Sequence, residues 1–188
     1  AAVLVVAGFM FGPSAEQGQV EPVSSISLAV FLFGATALVL GHNHADAAMI
    51  VFALLVAATF AIAWRAESAA GAIVAAALFV FAVFAEWAIR ANPELTVMPG
   101  GAMPGIGTRA DEGSISMHLI AAAGFGAAFG AAGFLAQGRS FSAIIPVIWA
   151  AAGVFTPLAL LVALYARIAH LDRSIPFAII AIAVAGAF

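Results

Sequence analysis

The chain is a succession of long apolar runs separated by short polar breaks. The runs SISLAVFLFGATALVL, AMIVFALLVAATFAIAW and GAIVAAALFVFAVFAEWAI each approach the roughly 20 residues that a helix needs to cross a hydrocarbon core. A transmembrane β-barrel would instead show roughly ten-residue segments that alternate apolar and polar. These runs are apolar all round and rich in alanine, the best helix former. The pattern predicts an all-α polytopic transmembrane helix bundle of seven segments. They cover 1–11, 24–40, 46–64, 69–89, 116–135, 141–168 and 175–188.

Local signals set the expected ends. Ser24 or Ser25 is expected to cap the second segment, Gly41 to close it and Asp46 to cap the third. Pro176 suits the first turn of the seventh segment. The break WRAES is short enough to make its flanking helices antiparallel neighbours. The first apolar run, of about 12 residues, would span roughly 18 Å, and the last, of about 14, roughly 21 Å. Both fall short of a full crossing. The expectation is a single membrane-embedded helical domain over 1–188, a segment of a longer polytopic protein with its first and last helices truncated.

Composition agrees with the pattern. The chain is 65% hydrophobic and 8% charged, with a mean hydropathy of +1.18. A soluble domain carries about 25% charged residues to wet its surface. Membrane lipid is therefore the expected surrounding partner. A net charge of −3 and the absence of lysine exclude a basic nucleic-acid footprint. With no cysteine there are no disulfides and no thiolate metal sites.

Seven crossings place successive breaks on alternate ends. PSAEQGQVEPVSS, WRAES and QGRS share one end, with Arg65 and Arg139. GHNHADA, the long 90–113 loop and HLDRS share the other, with Arg90, Arg109, Arg167 and Arg173. The arginine excess favours this second end as cytoplasmic.

All four histidines fall on the second end. His42, His44 and Asp46 alternate in GHNHADA, His118 enters the fifth segment and His170 leaves the sixth. Histidine with carboxylate can bind a divalent metal or relay protons, so these five residues are the candidate metal ligands. No HExxH is present, and short polar clusters between spans are ordinary. The stronger expectation is a solvated turn with capping roles, with no cofactor and no catalytic residue.

Three other features stand out. Glu86 and Arg90 are four apart on a helix, in the favourable order for an ion pair, and adjacent Trp87 suggests interfacial depth with Arg90 reaching toward head groups. Gly126, Gly130 and Gly133 form a small-residue seam for close helix packing. Pro157 removes a backbone donor and is expected to kink the sixth segment near Thr156. The loop PELTVMPGGAMPGIGTRADEG is rich in Gly and Pro, lacks the phosphate-loop pattern, and is expected to be irregular coil.

The stretch LYARIAHLDRSIPFAIIAIAVA, with Tyr165, Arg167, Ser174, Pro176 and Phe177, resembles a recurring piece of a family of large bacterial membrane proteins. So do the run from AWRAES through FAEWAI and the segment HLIAAAGFGAAFGAAGFLA. The family is domain of unknown function 2339, and the similarity spreads over about residues 45–188. It implies a many-helix parent in a bacterial inner membrane, whose remaining helices would be partners, and it brings no catalytic residues. The leading functional expectation is a structural, packing portion of that parent. The alternatives are part of a transport or channel pathway, and a membrane-embedded metalloenzyme using the histidines of one end.

Overall fold

The computed structural model describes residues 18–91, 97–98, 101–102, 113–140, 142–169 and 174–187. Among the described residues six α-helices run in order: α1 (Pro22–Gly41), α2 (Asp46–Arg65), α3 (Gly71–Ala91), α4 (Ile115–Leu135), α5 (Ile144–Ala169) and α6 (Ile175–Ala187). A 3-10 turn, Glu67–Ala69, joins α2 to α3. The expected segment 1–11 lies outside the described residues. Helix α6 has 13 residues, about 20 Å long and short of a crossing. The other five, α1 to α5, are long and apolar enough to cross a membrane.

The long 90–113 loop is not wholly irregular. Val97–Met98 (β1) pairs antiparallel with Gly101–Ala102 (β2), in the register Val97 to Ala102 and Met98 to Gly101.

Helix α3 is the centre of the bundle. Half of its most apolar window is buried, against about a third or less in the other four spans. Its buried residues Ile73, Ala76, Ala77, Val80, Phe84, Trp87 and Ala88 recur at helical spacing, and α5 and α1 are its principal neighbours. Helix α4 packs on α5, and α2 touches α1, α3 and α4. Phe33, Leu54, Ile120, Val147 and Val162 point outward and are more than 60% exposed. Large aliphatic and aromatic groups at that exposure on four different helices suit lipid, since soluble monomers rarely carry such contiguous apolar surface.

Two helix starts differ from the sequence expectation. Helix α1 begins two residues earlier than Ser24, with Glu21 as N-cap residue and Pro22 in the first turn. Proline is favoured there because its missing N–H would have no intrahelical partner. Ser24 turns its hydroxyl onto the Glu21 carboxylate instead, and Ser25 donates to the Ser68 carbonyl. Asp46 does not cap its own helix; the N-cap position of α2 is Ala45.

At the end holding Glu67 and Arg139, aromatic rings tie three helices together. Phe60 of α2 meets Phe129 of α4 at 4.6 Å and Trp149 of α5 at 5.4 Å, both edge-on. Trp64 meets Trp149 at 5.5 Å, and the Arg139 guanidinium lies 4.0 Å over the Trp64 ring.

The glycine seam is narrower than its spacing suggested. A β-carbon on Gly133 would stand 2.8 Å from the Trp149 carbonyl oxygen and 3.0 Å from Gly153 Cα, whereas one on Gly126 would meet nothing within 4 Å. The close approach of α4 and α5 is thus made by Gly133 against Gly153, and Gly126 and Gly130 border an open apolar groove beside it. Both obstacles at Gly133 are backbone atoms, which cannot rotate aside. Gly133→Val is expected to destabilise the bundle by about 2–3 kcal/mol, while Gly126→Ala stays within about 1 kcal/mol of the wild type. Unfolding of both variants in graded denaturing detergent checks this ordering.

Helix α5 continues through Pro157 to Ala169 without interruption. Thr156 beside it is fully buried, and among the described residues its hydroxyl, like that of Thr36, has no hydrogen-bond partner.

Candidate functional site

The chemistry-bearing groups gather at one end, where α1 ends, α2 begins, α3 ends, α4 begins and α5 ends. The α1–α2 turn sets the geometry. Gly41 is the last helical residue, so the chain reverses at Asn43 (φ 49°) and His44 (φ 60°) rather than at the glycine. Asn and His enter this left-handed region more readily than most side chains, at a cost of about 1–2 kcal/mol each. Backbone bonds secure the turn: His44 N–H donates to the Val39 carbonyl at 2.9 Å, and Ala45 N–H to that of His42 at 2.9 Å.

That reversal aims the His44 ring into the bundle. His44 is fully buried, and so is His118 in the first turn of α4. This corrects the expectation of a solvated turn for His44. His44 Nε2 lies 2.6 Å from Glu86 Oε2 on α3, and its Nδ1 lies 3.2 Å from His118 Nε2. His118 Nδ1 in turn lies 2.9 Å from the Ser114 carbonyl oxygen. The result is a continuous chain from Glu86 through two imidazoles to the backbone of α4.

Glu86 is the outer end of that chain, with its side chain about one-third exposed. Its Oε1 accepts from Arg90 Nε at 2.5 Å, the i, i+4 contact that the spacing of the two residues favours. Arg90 also reaches the Asn43 side-chain oxygen at 3.4 Å. Arg90 therefore turns toward the α1–α2 turn, and Trp87 packs inside the bundle. Trp87 is 1% exposed and stacks on His118, with ring centroids 4.3 Å apart and planes 9° from parallel. Arg167 of α5 lies 4.6 Å over the same indole and donates to the Trp87 carbonyl at 3.1 Å.

Asp46 works across the end of the bundle. Its carboxylate accepts the Ser114 N–H at 2.8 Å and the Ser114 hydroxyl at 3.1 Å. Ser114 Oγ meanwhile accepts from Met117 N–H at 3.2 Å and is the N-cap of α4. A carboxylate beside a helix N-terminus also suits the positive end of its dipole. Gly113 lets the strands of this knot approach, because a β-carbon there would fall 1.9 Å from the His44 carbonyl oxygen.

The sequence candidates thus separate. His44 and His118 meet, and Glu86 and Arg90 join them. His42 stays at the surface with Nδ1 3.0 Å from the Leu38 carbonyl, Asp46 is occupied by Ser114, and His170 lies outside the described residues. Among the described residues no three His, Cys, Asp or Glu side chains form a group that could hold a metal ion. Sequence reasoning missed Asn43, Gly113, Ser114 and the inward roles of Trp87 and Arg167. The available signal was their shared end of the bundle. No family model, curated protein or solved structure matches the chain.

Proposed function

We propose that the chain is a structural portion of a larger bacterial inner-membrane protein, without catalysis of its own, and that its polar end is a clamp holding the helices in register. The observation that supports this reading is how the charged groups inside the apolar envelope are used. Glu86, Arg90, His44 and His118 are spent on one another across the α1–α2 turn, α3 and α4. Between helices in lipid there is little hydrophobic drive, so close packing and buried hydrogen bonds carry association. The clamp supplies such bonds at one end, and the Phe60, Trp64 and Trp149 cluster supplies packing at the other. The resemblance to domain of unknown function 2339 supports a many-helix parent, and the pattern of apolar runs supports a seven-segment count for this stretch.

A second reading, part of a proton-conducting pathway, is favoured by the continuity from a partly exposed carboxylate to two fully buried imidazoles. Proteoliposomes with a pH-sensitive dye inside decide between them. A structural portion leaves proton flux at the level of protein-free vesicles under an imposed gradient. Flux above that level that vanishes in His118→Phe would replace the structural reading with the transport one.

A further inference from the structure

The hydrogen-bond chain between Ser114 and Glu86 fixes how many protons the cluster must hold. A carbonyl oxygen has no proton to give, so the 2.9 Å contact at Ser114 requires N–H at His118 Nδ1. The 3.2 Å contact between His118 Nε2 and His44 Nδ1 requires one proton between two nitrogens, since two facing lone pairs would repel. The 2.6 Å contact between His44 Nε2 and Glu86 Oε2 requires another. Three bonds need three protons. Two neutral imidazoles bring two, and an ionised carboxylate brings none.

We propose that His118, His44 and Glu86 form a binding site for one additional proton, held within the buried chain as an imidazolium–carboxylate pair. The site nearest the carboxylate is His44, where the added charge is offset directly. Among the described residues the neighbouring charges agree with this placement. Arg90, on the other oxygen of Glu86 at 2.5 Å, keeps that carboxylate ionised and so leaves the proton on the ring. Arg167 already occupies the Trp87 face and disfavours a second cation on His118, which stacks on the same indole. Asp46 is engaged by Ser114, and His42 is turned to the surface on Leu38. Loss of the proton leaves a carboxylate oxygen facing an imidazole lone pair in a low-dielectric site, so the clamp weakens as the proton leaves.

This inference rests on the clamp reading, and Glu86→Gln isolates it. The glutamine amide can donate N–H to His44 Nε2, so all three contacts survive with two neutral imidazoles and no added proton. The experiment uses the full chain in lipid nanodiscs, with ¹⁵N-labelled histidine in a His42→Gln, His170→Gln background. The expected result is three protonated ring nitrogens in the parent and two in Glu86→Gln. Two protonated nitrogens in the parent while it is folded would overturn the proposal, and that count decides even if Glu86→Gln fails to fold. Retention of all three in a folded Glu86→Gln protein would also overturn it. Failure of the clamp reading looks different: His44→Phe would then match the parent in stability whatever the proton count.

Discussion

Gly113→Ala is expected to unfasten the polar end of the bundle. The added carbon would sit 1.9 Å from the His44 carbonyl oxygen and 3.0 Å from His118 Cε1. The carbonyl cannot swing aside, because Asn43 and His44 already hold left-handed backbone angles that few other arrangements of the turn would satisfy. The start of α4 must therefore retreat from the turn by more than an ångström (roughly the gap between 1.9 Å and ordinary van der Waals contact). That displacement strains two links together: the Asp46 bond to Ser114 N–H at 2.8 Å, and the His44 to His118 bond at 3.2 Å. Leaving the buried His44–His118 contact unmade costs about 1–3 kcal/mol and losing the exposed Asp46–Ser114 bond about 0.5–1.5 kcal/mol, so a total loss of about 2–4 kcal/mol is expected. Denaturing-detergent titration of the nanodisc or micelle form measures it, and a shift under about 0.5 kcal/mol would show that the turn yields freely. As a control, Gly124→Ala, where a β-carbon meets nothing within 4 Å, should leave stability nearly unchanged.

The two glycines show why spacing alone reads a fold better than a site. The apolar runs were sufficient to place α1 to α5 to within a few residues, because hydrophobic length and alanine content act locally and lipid demands helices of that length. The GHNHADA break looked solvated for the same reason: a short polar stretch between spans usually meets water. What buried His44 was a non-local event, a left-handed reversal that points the ring at Glu86, 42 positions on, and at His118, 74 positions on. Helical periodicity carries no information at those separations. The alternation of loops did carry some, since it put His44, Glu86, Arg90, His118 and Arg167 at one end before any distance was known. Spacing likewise marked Gly133 as a packing residue but could not reveal that its partner is Gly153 on α5 rather than a neighbour of Gly126.

His118 is the residue on which the bundle's polar end most depends, and two substitutions separate its contributions. His118→Ala removes a fully buried ring, exposes one face of Trp87 to a void and leaves His44 Nδ1 without its partner. The cavity and the lost bond together are expected to cost about 3–5 kcal/mol. His118→Phe keeps an aromatic ring against Trp87 and fills most of the volume, while still abolishing the bonds to His44 and to the Ser114 carbonyl. It should cost about 1–3 kcal/mol, the hydrogen-bond part of the same loss. The gap between the two variants therefore reports the stacked ring, and the deficit of the phenylalanine variant reports the polar chain. If both lost the same amount, packing against Trp87 would contribute nothing and the polar chain would account for the whole. If His118→Phe matched the wild type, the buried chain would be dispensable, and the cohesion of this end would have to come from Asp46, Ser114 and the Arg167–Trp87 contact instead.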